Sequence, residues 1–159
     1  MATTKIEVRM PLFDRLVDRD PRLPYELRPT RTLDRRGLRE SVRRELEQLL
    51  NTRCPFPAHR LPIGQRSVID YGVPDFTVFS ARSFDDRVRL AELLRRTIEA
   101  FEPRLIDVSV SLEPMPGNEL SLLGYIEAKM LTDLVPEPVS FETALDMKEG
   151  KVEVHAGAR

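Results

Sequence analysis

The stretch SFDDRVRLAELLRRTIEAFEPRLIDVSVSLE, residues 83–113, decides the fold, because its apolar period changes from helical to alternating across a single proline. Val88, Ala91, Leu94, Ile98 and Phe101 recur at three- and four-residue steps and share one helix face, widened by Leu90 and Leu93. Ser83 followed by Asp86 predicts a capping box, with the hydroxyl on an early N–H and the carboxylate reaching back. Asp85 and Asp86 lie at the positive end of the helix dipole, Arg95 and Arg96 towards its negative end. Pro103 disfavours helical dihedrals at Glu102, so the helix should stop near Phe101 or Glu102. Ile106, Val108, Val110 and Leu112 then alternate with Asp107, Ser109, Ser111 and Glu113, the period of a half-buried strand. Glu102, Pro103 and Arg104 thus form a rigid corner between a rod and a ribbon.

Working towards the N-terminus, residues 52–82 are dense in turn formers: Pro55, Pro57, Pro62, Gly64, Gly72 and Pro74. A connection of that length points to a functional or partner-ordered loop. Before it, Asp34 to Asn51 reads as a first long helix with Leu38, Val42, Leu46, Leu49 and Leu50 as its stripe. Glu40 and Arg44 are spaced for an i,i+4 pair, and Asn51 is expected to close the helix in a left-handed cap. Residues 1–33 carry Pro11, Pro21, Pro24 and Pro29 and read as an arm. Within it, residues 11–17 predict a short helix with Leu12, Phe13, Leu16 and Val17 on one side, and the rest is expected to be extended chain ordered by a partner.

Working towards the C-terminus, Pro114 to Asn118 makes a turn before a strand from Leu120 to about Leu131. Its inward set is Leu120, Leu122, Ile126, Ala128 and Met130; Leu123, Tyr125, Glu127 and Lys129 face outward. A third strand places Val139, Phe141, Thr143 and Leu145 inside. Glu149-Gly150 predicts a hairpin, and Lys151 to His155 a final strand. Short connections imply antiparallel pairing, so the expected fold is α+β: a sheet of about four strands, two main helices on one face and a Pro-rich N-terminal arm. The expected division is an arm over 1–33 and one domain over 34–159.

A hydrophobic content of 41% with 32% charged residues is that of a soluble globular chain, and a net charge of -1 exerts no overall pull on nucleic acid or anionic lipid. The charge is uneven: residues 1–60 hold 14 basic and 9 acidic groups, residues 105–159 hold 4 and 10. Opposite ends of opposite sign suit stacking against partners and intramolecular attraction equally. Cys54 stands alone, so no internal disulfide forms and a reducing compartment is expected. MATTKIEVRM has no apolar signal core, and the longest apolar candidate, Leu120 to Ile126, is too short to span a bilayer. A cytoplasmic location is expected.

Chemistry is scarce. His59 and His155 share no metal-ligand spacing with Cys54 or each other, Cys54 and His59 lack a third orienting group, and no Gly-rich phosphate loop is present. Arg35-Arg36 and Arg43-Arg44 are interleaved with acids and read as a solvated helix face. The one enzymatic alternative is glycoside (peptidoglycan) hydrolysis with Glu102 as general acid. Such an acid must stay protonated in an apolar pocket, and Arg104 two residues away favours the wrong form. Aromatic content of 6% without tryptophan provides no stacking platform for sugars. No catalytic residue, cofactor or metal is expected.

The ordered set Leu12-Phe13-Asp14-Arg15-Leu16, Arg39 to Val42, Leu49 to Arg53, Ser67-Val68, Tyr71 to Asp75 and Phe101-Glu102-Pro103-Arg104-Leu105 resembles the TssE family. These are type VI secretion baseplate subunits akin to the tailed-phage baseplate wedge proteins once labelled lysozyme-related. The resemblance spans about residues 10–147 and implies a structural protein. It implies partners TssF and TssG in the wedge, TssK nearby, and the sheath subunits TssB and TssC, whose polymerisation starts on this platform. It assigns Glu102, Pro103 and Arg104 to partner binding and carries no catalytic pair. Arg104, with five donors in a rigid fork, suits a partner carboxylate or carbonyl, the alternative being an intramolecular pair with Glu102 or Asp107 worth about 0–1 kcal/mol if exposed. Its replacement by alanine is expected to weaken co-purification with TssF and TssG while leaving melting nearly unchanged. The final strand either templates an incoming strand or is blunted by Lys151 and Glu153, and Tyr71 and Asp75 are either interface or turn residues.

Overall fold

The computed structural model describes residues 8–16, 22, 32–61, 66–132 and 135–157. Its centre is an antiparallel meander in which β3 (Leu105–Pro114), β4 (Ser121–Met130), β5 (Glu137–Asp146) and β6 (Lys151–Ala156) pair in sequence order. Two helices cover one face, α3 (Phe84–Phe101) over β3 and α2 (Arg35–Asn51) over β6. The fold is α+β, as the pattern requires. Leu122, Ile126, Ala128 and Met130 of β4 and Val139, Phe141, Thr143 and Leu145 of β5 are buried beneath the helices, as alternation predicts. Each large side chain such as Phe141 or Ile126 contributes about 1.5–3 kcal/mol by leaving water. Leu120, expected to face inward, lies outside the strand and is exposed.

The arm adds a small pairing that the sequence did not announce. β1 (Val8–Arg9) runs antiparallel to β2 (Thr32–Leu33), and α1 (Leu12–Leu16) follows β1. Met10 and Leu33 are buried in the main core. The extended chain expected beyond α1 lies mostly outside the described residues, as does Val17; Leu16 is exposed.

Four local expectations are corrected. Asn51 makes no left-handed cap: the residue closing α2, Thr52, is extended, and the Asn51 amide is spent elsewhere. Its Nδ2 donates to Val152 O at 2.7 Å and its Oδ1 accepts from Val152 N at 2.9 Å, stapling the helix end to β6. Glu40 pairs with Arg43 and not Arg44, which turns to Asp14 of the arm. Only half of the capping box forms, since Ser83 Oγ accepts from Asp86 N but the Asp86 carboxylate goes to Ser80 N. In β3 a bulge between Ile106 and Ser109, with Asp107 at φ 53°, resets the alternation. Leu105 and Val108 are the buried residues, and Ile106 is put opposite Lys129.

The loop over residues 52–82 is tied to the core. Val73 N donates to Thr52 O at 2.9 Å and Cys54 N to Val73 O at 3.0 Å, a parallel bridge that drives Val73 and Phe76 to full burial.

The staple at Asn51 also settles the state of β6. Beyond the two bonds at Val152, Arg43 Nη1 donates to Val154 O at 2.9 Å, and Arg39 donates to Gly157 O. Helix side chains thus occupy both outward groups of Val152 and the carbonyl of Val154. Asn51→Ala should lower the unfolding free energy by about 1–3 kcal/mol, because Val152 is left with an unmatched N–H and C=O. A urea midpoint that falls while the slope of the transition stays unchanged is the expected reading.

Candidate partner interface

The corner is built by the helix stop. With Glu102 held at φ -118°, Leu105 N donates to Glu102 O at 3.1 Å and the chain turns from α3 into β3 within three residues. Pro103 is exposed at the tip, whereas Glu102 is only 3% exposed. Both Glu102 oxygens face Arg104: Nε donates to Oε1 at 2.7 Å and Nη2 to Oε2 at 2.5 Å. Arg104 Nη1 donates to Ser41 Oγ of α2 at 3.0 Å. Burial works against the Arg104 charge but is outweighed by the Glu102 hydrogen bonds and charge, helped by Glu45 and Asp14, so its pKa lies above the ordinary arginine value. The side chain keeps 22% of its surface in solvent. Three of the five guanidinium donors are therefore bound by described residues of the chain itself.

A second feature lies along β3. Leu131 N donates to Arg104 O and Met115 N to Ser121 O, which fixes the alternation of the β3–β4 ladder. By that alternation the N–H and C=O of Val110 and Leu112 point away from β4. Beside them runs a groove of about 390 Å³ between the strand and α3, lined by Phe84, Val88, Ala91, Val108, Val110 and Leu112. Phe84 and Val88 are 69% and 52% exposed there. Val88, assigned by its spacing to the buried stripe, thus lies at the lip of this groove, and the buried stripe is Leu90, Leu93, Leu94, Thr97 and Ile98. At the rim, hydrogen bonds from Arg95 and then Arg96 hold Glu92 down at about 2. The two sheet edges therefore differ: α2 side chains bind Val152 and the Val154 carbonyl of β6, whereas among the described residues no such bond is made to the outward groups of Val110 and Leu112 in β3.

Among the described residues no group of three or more His, Cys, Asp or Glu is placed to hold a metal, and no helix is long and apolar enough to cross a membrane. Both Glu102 oxygens accept from the Arg104 guanidinium, an arrangement that favours the ionised carboxylate and not the protonated acid the hydrolase alternative needs.

The family model described as baseplate wedge protein gp25 matches residues 36–134, more than half of the chain. The chain belongs to the baseplate wedge protein gp25 family. A chain in the solved structure of the baseplate complex from the type VI secretion system is also similar, at 19% identity and a TM-score of 0.47. That likeness covers 66% of this chain and 91% of the other. No curated protein matches. Membership of the gp25 family makes this a structural component of a baseplate.

Within that gp25-family domain, sequence reasoning found the corner and missed what surrounds it. Ser41 and Asp14 attach to Arg104 from 63 and 27 residues away along successive links. Ser41 could have been suspected, as a polar residue interrupting the Leu38–Val42 stripe. Tyr71 is half-buried and meets Phe101 edge-on at 5.1 Å; burial, then the charges of Glu45 and Glu102, push its pKa up. Asp75 accepts from Thr77 N at 3.0 Å and Thr77 Oγ1 at 2.8 Å, the turn-forming arrangement of the two that the sequence allowed.

Proposed function

We propose that this chain is a TssE-type subunit, a non-enzymatic part of the baseplate wedge of a type VI secretion machine, which links the wedge to the first sheath ring and initiates sheath polymerisation. In this reading Glu102, Pro103 and Arg104 contact TssF and TssG, with TssK nearby, and the β3 edge receives a strand from the sheath subunits TssB and TssC. The location is cytoplasmic, in a baseplate docked at the inner membrane through other subunits.

The observation that carries the reading is the asymmetry of the sheet edges in a member of the wedge family. An edge with free main-chain donors beside an apolar groove is what strand addition requires: hydrogen bonds give affinity, and pockets for alternate side chains give selectivity. Glu92, Arg95 and Arg87 at the groove rim are engaged with their own neighbours, so an incoming strand meets a preformed surface.

The test removes one donor. Val110→Pro deletes an N–H that the β3–β4 ladder does not use, and proline is tolerated at such an edge position. Circular dichroism and melting should stay near those of Val110→Ala, which keeps the N–H. Capture of TssB–TssC by the proline variant should fall by about tenfold or more, equivalent to about 1.4 kcal/mol. Equal capture by the two variants would remove β3 from the interface.

A further inference from the structure

An acid of this chain is tied to the corner through Ser41. α1 is a helix of five residues, far below the length at which a helix persists in water. It projects Asp14 onto α2. The Asp14 carboxylate accepts from Ser41 Oγ at 2.7 Å through one oxygen and from Arg44 Nη2 at 2.6 Å through the other. Ser41 is 1% exposed, and its Oγ also receives the Arg104 Nη1 donor at 3.0 Å. The Asp14 side chain is 11% exposed. A hydroxyl and a guanidinium of α2 thus hold one carboxylate delivered by a segment with little helical stability of its own, and the Arg104 guanidinium of the corner stands behind the hydroxyl. Arg44 reaches this carboxylate although Glu40 stands at the favoured i,i+4 position on its own helix.

We propose that Ser41, Arg44 and Arg104 form a docking notch for an acidic side chain of a partner segment, and that Asp14 is an internal stand-in which the partner displaces. This rests on the reading of the corner as a partner contact and adds the chemistry of what is recognised. Both oxygens of the ligand carboxylate are taken, one by a buried hydroxyl already polarised by a guanidinium, the other by a charged fork. A tethered carboxylate competes at an effective concentration on the order of millimolar, so only a partner that binds better than α1 opens the notch. The arm therefore sets a threshold for docking. Glu102, kept on Arg104 by two bonds, prevents the guanidinium from swinging out when Asp14 leaves.

The experiment uses the full chain carrying Asp14→Ala and, as probe, a synthetic peptide of residues 8–17, VRMPLFDRLV, beside a copy with asparagine in place of its aspartate. Binding is followed by NMR at the backbone amides of Ser41 and Arg44 and at Arg104 Nε–H. The aspartate peptide should bind at least about tenfold more tightly than the asparagine peptide, and Arg44→Ala in the host should erase the difference. Equal binding of the two peptides, or no shift at these groups, overturns the notch. Affinity of the Asp14→Ala chain for TssF–TssG should rise about threefold or more, since the internal competitor is gone; an unchanged or weaker affinity overturns the displacement. If the unaltered chain captures no wedge subunit, the baseplate reading fails by itself, and the peptide comparison still decides the notch.

Discussion

Arg104→Ala should lower the unfolding free energy by about 3 kcal/mol, the cost of leaving a buried carboxylate without its charged partner. Glu102 is 3% exposed and among the described residues its side-chain bonds all run to Arg104, so the alanine variant strands an acid in the interior. For a chain of this size the loss corresponds to a fall in Tm of about 6–12 °C. This replaces the sequence-based expectation of nearly unchanged melting, which took any pair with Glu102 or Asp107 to be exposed and weak, whereas Glu102 is buried. The double variant Glu102→Gln, Arg104→Gln should recover at least half of the loss, because no unpaired charge remains. Differential scanning calorimetry of the three proteins decides the matter, and an alanine variant melting within a degree of the parent would show that solvent reaches the pair. The double variant also permits a clean binding measurement: folded, yet without the guanidinium, it should lose capture of TssF and TssG if the corner is their contact.

Gly72→Ala should cost about 3 kcal/mol or more, by a mechanism independent of charge. Gly72 has φ +104°, a conformation that L side chains rarely adopt, and an added Cβ would press on the carbonyl oxygen of Thr52 and lie 2.9 Å from its carbon. Both atoms are backbone and belong to the bridge in which Val73 N donates to Thr52 O. The clash therefore cannot be relieved by a rotamer change. Gly117→Ala provides the control, since it has φ +78° but nothing within 4 Å of the new Cβ, so only dihedral strain of about 1 kcal/mol applies. Urea titration of both variants should separate their midpoints clearly. Coincident midpoints would mean that the Thr52–Val73 bridge gives way at no cost, and that Phe76 is not held by it.

Local pattern was enough to place the two amphipathic helices, the four-stranded sheet and the point where rod becomes ribbon. Those features follow from local rules: a period of 3.6 or 2, a proline that stops a helix, a glycine in a hairpin. It also located Glu102, Pro103 and Arg104 as a corner. Which way that corner's groups turn is set by long-range packing, because Glu102 and Arg104 bind each other and Arg104 also reaches Ser41 across 63 residues. Arg44 leaving Glu40 for Asp14, and Asn51 leaving its helix cap for Val152, have the same origin. A long polar side chain chooses among partners by their positions in space, and no periodicity encodes that choice. The open edge was equally beyond the sequence: β3 and β6 are both amphipathic strands, and the difference between them is that α2 lays its polar side chains along one and not the other.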